Sequence, residues 1–397
     1  MPPRTQSAKL KVADAPRSPH GGIRFDRNEL AGAFGDIGTD LPLIIGVILA
    51  AHLDSASALI LFGAMQILTA LRYRIPMPVQ PLKAVAALVI AQKISGSILF
   101  GGGLAIGILM LFLTITGLVD VLARVVPKAV VRGIQFGLGL QLATLALKDY
   151  VGADGARGYV LAALGFVVVV VLMGNRRYPA ALFVIAMGLV YAAVFKLSGA
   201  TMLNSVGLRL PHFYRPTTHD VWLGFVLLAL PQIPLSLGNS VLATRQIAED
   251  LFPERQLTVR KIGFTYSVMN LINPFFGGIP TCHGSGGMMG HYAFGGRTGG
   301  SVILYGTLFL ILGLFFSGGF AHVVQVFPLP ILGVLLLVEG MRIMLLIRDT
   351  VDARAEFSIA VLVGLIAAGL PYGYLVGICV GTLLFYAAKS RPFHQEL

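Results

Sequence analysis

The stretch RIPMPVQPLKAVAAL, Arg74 to Leu88, lies between two long apolar runs and carries Pro76, Pro78 and Pro81 just ahead of Lys83. Proline lacks a backbone N–H and clashes with the turn before it, and it pushes the preceding residue toward extended backbone. No helix therefore runs through 76–81, although hydropathy puts this part of the chain in a bilayer. Irregular backbone survives at membrane depth only where protein buries it or water lines it. The stretch is expected inside a helical bundle, with Pro81 in the first turn of a new helix that begins near the midplane. Gln80 would stand at its N-terminal edge and Lys83 in its first turn, beside the free N–H groups and the positive dipole end. A cation there is unfavourable unless an anion or an acid lies close. Lys83 thus points to a bound anion, against the plainer readings that it pairs with Asp36 or Asp40 or snorkels to an interface.

The rest of the chain supports a bilayer setting. Of 397 residues, 56% are hydrophobic and 12% charged, with mean hydropathy +0.82. A soluble domain carries about 25% charged residues. The expected class is an all-α polytopic membrane protein, and the 48 glycines suit closely packed membrane helices. The net charge of +12 does not indicate nucleic acid, because the basic residues sit in short loops and form no stripe on a polar domain. Cys282 and Cys379 give neither a disulfide framework nor a metal-spaced cluster, so no metal or cofactor is expected.

Apolar runs separated by polar breaks lie near 30–52, 56–71, 81–94, 98–119, 128–148, 158–174 and 178–196, and again near 220–241, 258–276, 281–294, 301–319, 325–346, 356–369 and 373–389. These predict fourteen segments, seven on each side of a polar loop. The third of each set is too short to span. The expected organisation is a disordered cytoplasmic tail over 1–27, a first repeat over 28–196, an extracytoplasmic loop over 197–219, a second repeat over 220–389 and a short tail over 390–397. Neither a signal peptide nor a soluble C-terminal domain is expected. With the N-terminus inside, 23 of the 30 Lys and Arg residues fall in cytoplasmic loops and tails, 6 fall outside, and Lys83 alone lies in the membrane. A bacterial inner membrane with both termini cytoplasmic is the expected setting.

The two halves resemble each other. DLPLIIGV (40–47) matches QIPLSLGN (232–239), and the proline break at 76–81 recurs as GGIPTCHGSGG (277–287). Seven is odd, so the second repeat must be inverted relative to the first. Inverted repeats with matched broken helices point to a secondary transporter whose site lies at the midplane.

The residues around the breaks suit an anion. Gln80 and Lys83 come from the first, and Thr281, His283, Gly284 and Ser285 from the second; Gly284, Gly286 and Gly287 would let backbone approach a ligand. Thr39 sits beside Asp36 and Asp40, which share a helical face at i,i+4. In the eighth segment, Gln232, Ser236, Asn239 and Ser240 supply neutral amides and hydroxyls. Asp36, Asp40 and Glu339 are candidate charge or proton-coupling partners, with Arg342 as an alternative partner for Glu339. A metal site at Cys282, His283 and His291 lacks a supporting carboxylate. Catalysis by Cys282–His283 lacks a third group to orient the histidine, so no enzyme is expected.

FGDIGTDLPL (34–43), PMPVQPLKAVAA (76–87), PQIPLSLGNSV (231–241) and PTCHGSGGMMGHYAFGGRTG (280–299) resemble the signatures of the molybdate transporters related to the sulfate permeases. The resemblance implies a core domain of segments 1–4 and 8–11, a gate domain of segments 5–7 and 12–14, and an oxyanion held between segments 3 and 10. Molybdate is the substrate it favours, with sulfate and tungstate as alternates of similar shape and charge. It leaves proton coupling and a homodimer open. A passive anion channel is the competing class. A nucleobase permease shares the architecture, but 232–241 and 280–291 hold none of the acids that such proteins carry there.

Overall fold

The computed structural model describes residues 22–172, 180–195 and 206–390. The expected N-terminal tail is described only from residue 22 and the central loop only from 206. The C-terminal tail past Ser390 and the junction 173–179 between the sixth and seventh runs lie outside the described residues.

Helices occupy the apolar runs, and among the described residues seven of them are long and apolar enough to cross a bilayer: Arg27–Ala51, Ser55–Tyr73, Gly96–Thr116, Lys128–Tyr150, Thr218–Leu251, Leu329–Thr350 and Gly373–Ser390. The first is broken at 34–36 into α1 (Arg27–Ala33) and α2 (Ile37–Ala51). In chain order there follow α3 (Ser55–Tyr73), α4 (Lys83–Gln92), α5 (Gly96–Thr116), α6 (Leu118–Val125), α7 (Lys128–Leu145), α8 (Gly155–Val171) and α9 (Ala180–Phe195). The second half holds α10 (Thr218–Leu251), α11 (Val259–Ile272), α12 (Ser285–Ala293), α13 (Gly300–Phe315), α14 (Ser317–Val326), α15 (Leu329–Met344), α16 (Arg354–Gly369) and α17 (Gly373–Ser390).

Several boundaries differ from the sequence expectation; the eighth run, expected near 220–241, continues as helix to Leu251. The fourth run stops at Thr116, because Gly117 takes the left-handed conformation, φ 76°, and α6 follows as a separate helix. The eleventh run is likewise divided, since α14 bends away from α13 by 93°.

The all-α expectation needs one correction. The two breaks form strands β1 (Val79–Pro81) and β2 (Thr281–His283), which pair antiparallel with Gln80 opposite Cys282. Extended backbone at membrane depth must find partners for its N–H and C=O groups, and each break supplies them to the other. Pro81 consequently lies in β1 and α4 starts two residues later. The Leu82 N–H is drawn to the Pro280 carbonyl at 3.0 Å, a partner that local reading cannot reveal.

Glycines set where the long helices cross. Gly63 of α3 meets Gly306 of α13, Gly102 of α5 meets Gly224 of α10, and Gly139 of α7 meets Gly340 of α15. A β-carbon at any of these would press on its partner's backbone. Packing falls into two groups. In one, α3 lies on α13, α5 lies on α10 and α11, and α2 lies on α4. In the other, α7 lies on α15 and α16, α16 on α17, and α15 on α8. Helix α4 touches both groups, through α2 and α7.

Candidate functional site

The strand pair is held by two amide clamps. Gln66 of α3 donates from Nε2 to the Val79 carbonyl at 2.6 Å and accepts the Val79 N–H at 2.8 Å. Asn270 of α11 repeats this on the other strand, donating to the Thr281 carbonyl at 2.7 Å and accepting the Thr281 N–H at 3.0 Å. Both side chains are buried, and each saturates an extended residue that would otherwise be unpaired in an apolar interior.

From this pair, α4 and α12 begin as half-helices with their N-termini near a cavity of about 290 Å³. The two ends differ. At α4, the Gln232 side-chain carbonyl accepts the N–H groups of Ala84 and Val85 at 3.1 and 3.2 Å. The Gln232 amide donates to Ser236 Oγ at 3.0 Å, and that hydroxyl bonds Tyr266 at 2.7 Å. At α12, the N–H groups of Ser285, Gly286 and Gly287 form no hydrogen bond among the described residues. A β-carbon at Gly286 would meet nothing, so that end is open. A β-carbon at Gly284 would instead strike the Gln80 side chain, and one at Gly287 would strike Asp36 and Pro78. Two of the three expected glycines thus admit the protein's own side chains, and only Gly286 faces free space.

Charge at the cavity comes from three residues. Lys83 Nζ lies 3.5 Å from Glu339 Oε1, and Arg342 Nη1 lies 3.8 Å from Glu339 Oε2. The Glu339 side chain is 8% exposed, whereas those of Lys83 and Arg342 are 40% and 61% exposed. The expected partnership of Arg342 with Glu339 is present, whereas Lys83 pairs with Glu339 and with neither Asp36 nor Asp40. Asp36 accepts from Gln80 Nε2 at 2.6 Å, and Asp40 accepts from the Tyr305 hydroxyl at 3.1 Å. Both aspartates are buried away from the cavity lining.

Of the other sequence candidates, Thr39, Gln80, Gln232, Asn239, His283, Gly284 and Ser285 line the cavity. Ser236 and Thr281 do not; Ser236 is turned to Gln232 and Tyr266, and Thr281 accepts from Asn273 Nδ2 at 3.2 Å. His283 is fully buried, with Nε2 2.6 Å from Thr265 Oγ1 and its ring edge-on to Tyr73. Ser240, a member of the polar set expected from the eighth segment, lines the cavity too; Gln135 and Cys282 also line it, and sequence reasoning gave neither of these two a binding role. No group of three His, Cys, Asp or Glu side chains positioned for a metal occurs among the described residues.

The prolines of α10 explain its polar face. Pro231 and Pro234 each delete a backbone donor, and wider π turns at Phe225–Ala229 and Ser236–Leu242 flank them. The second turn carries Asn239 and Ser240, which are on the cavity wall.

Apolar spanning helices around a polar, charged cavity between two half-helices define a membrane transport protein, and solved structures share the fold. The transmembrane domain of a cyanobacterium bicarbonate transporter, BicA, aligns with TM-score 0.62 at 17% identity, covering 87% of this chain and 97% of that one. The murine SLC26A9 anion transporter in its inward-facing state aligns with TM-score 0.69 at 13% identity, covering 98% of this chain and 73% of that one. The chain belongs to the molybdate transporter family: residues 28–142 and 224–343 match the family described as "Molybdate transporter of MFS superfamily". Molybdate transporter 2 of Arabidopsis thaliana is 33% identical, over 92% of this chain and 88% of that protein. Molybdate transporter 1 of Chlamydomonas reinhardtii is 26% identical, over 88% and 90%. The family is one of transporters, not enzymes. Despite the superfamily in its description, the fold is that of BicA and SLC26A9.

Proposed function

We propose that the protein is a secondary active transporter of a tetrahedral oxyanion, with molybdate as its substrate. The observation that carries this reading is the convergence of Lys83, Gln80 and the open N-terminus of α12 on one cavity. Free N–H groups and a positive dipole end attract an anion, and Lys83 adds a full charge in a setting of low dielectric. Relatives named as molybdate transporters support the choice of substrate. Gln232 acts as a positioning residue, because its carbonyl is committed to α4.

The working topology is fourteen segments in two inverted repeats, in a bacterial inner membrane with both termini cytoplasmic. The basic-residue bias and the paired clamps of Gln66 and Asn270 support it. The two packing groups would be the core and gate domains, moving against each other to expose the cavity alternately. Arg342 and Leu346, near the end of their span that carries Arg348, line the cavity, which in this orientation opens toward the cytoplasm.

The test is uptake of labelled molybdate by the purified protein in liposomes, with sulfate, tungstate and bicarbonate as competitors. Saturable accumulation driven by an ion gradient and blocked best by tungstate is expected. Lys83→Ala and Gln80→Ala should abolish it while leaving folded protein. Linear flux that never exceeds equilibrium would favour a passive anion channel, preferential block by sulfate would favour a sulfate carrier, and full activity of Lys83→Ala would overturn the site.

A further inference from the structure

The cavity contains a carboxylate where an anion site would be expected to exclude one. Glu339 belongs to α15, which packs on α7, whereas Lys83 begins α4, which packs on both α2 and α7. The two meet across the cavity at 3.5 Å, and Glu339 reaches Arg342 with its second oxygen at 3.8 Å. No other carboxylate lies within 4.0 Å of Lys83 among the described residues. Asp36 and Asp40, the other acids nearby, are committed to Gln80 and Tyr305. On the α7 side, Asp349 is engaged by Arg132 and Lys128.

We propose that Glu339 is a tethered stand-in for the transported anion. Its carboxylate neutralises Lys83 and Arg342 when the cavity is empty, and the incoming oxyanion displaces it. The inference rests on the anion-transport reading above. An unpaired cation at membrane depth is costly, and a carrier that returns empty would otherwise have to bear that cost at Lys83. A carboxylate and an oxyanion make the same demand on an ammonium and a guanidinium group, so one can replace the other without leaving either cation bare. Because the pair ties α4 to α15, occupancy by substrate also removes a link between those two helices. Glu339 is then an internal competitor that lowers the measured affinity for substrate.

The experiment is equilibrium binding of labelled molybdate to the purified full-length protein in detergent, for wild type, E339Q, E339D and K83Q. Removing the competitor should tighten binding, so E339Q is expected to have a Kd at least about tenfold below that of wild type. K83Q should lose binding. E339D keeps the charge but shortens its tether, and its Kd should fall between those of wild type and E339Q. If wild type and E339D bind molybdate but E339D binds more weakly, Glu339 orients Lys83 for the substrate and the inference is wrong. It is equally wrong if folded E339Q binds no better than wild type. If wild type binds none of molybdate, tungstate and sulfate, the transport reading fails and takes this inference with it.

Discussion

The side-chain carbonyl of Gln232 lies 3.1 Å from the Ala84 nitrogen, so a residue of α10 closes the N-terminus of α4. Gln232→Leu would strand the N–H groups of Ala84 and Val85 in a buried setting, at about 1–3 kcal/mol for each orphaned group. A lower melting temperature in detergent is expected. Gln232→Glu keeps an acceptor for both groups but brings a negative charge to the cavity wall. It should melt within a few degrees of wild type while binding molybdate at least about tenfold more weakly, roughly 1.4 kcal/mol. Unimpaired binding by the glutamate variant would show that the cavity does not take an anion beside Gln232.

The clamps of Gln66 and Asn270 make equivalent contributions on opposite strands, and their loss should have equivalent effects. Gln66→Leu unpairs the N–H and C=O of Val79, and Asn270→Leu unpairs those of Thr281. Each costs about 1–3 kcal/mol per buried group. Gln66→Asn, one methylene shorter, should recover little. Thermal unfolding of the purified variants measures this, and a leucine variant as stable as wild type at either position would refute the clamp.

The proline break was legible because proline acts on its own backbone and its neighbours, whatever the rest of the chain does. Lys83 stood out because a charge in an apolar run is costly wherever the helix packs. The partner of Lys83 was not legible. Asp36 and Asp40 are nearer in sequence, but the choice of Glu339 depends on how distant helices meet. Ser236 and Thr281 carried the right chemistry for a ligand, yet neighbouring side chains had already claimed them. Gln66 and Asn270 were missed because one amide in an apolar span looks ordinary. Their signal lies in the repeat: AMQIL (64–68) and VMNLI (268–272) match when the halves are compared. Pairing of the two breaks as strands needed the third dimension, since nothing local distinguishes an extended loop from a strand.

Gly284 and Gly286, two residues apart, should respond oppositely to the same added methyl group. At Gly284 a β-carbon collides with the Gln80 side chain, which is buried and bonded to Asp36. Gly284→Ala must push Gln80 aside, so overpacking of about 1–3 kcal/mol and a loss of molybdate binding are expected together. At Gly286 nothing lies within 4 Å, so Gly286→Ala should melt like wild type. Its methyl group projects beside the open N–H groups of α12, where an oxyanion would make its closest approach. Binding should weaken with stability intact, and more for molybdate and tungstate than for the smaller sulfate. Unfolding curves paired with binding isotherms for both variants separate the two effects. If Gly286→Ala binds all three anions as wild type does, the N-terminus of α12 does not hold the substrate.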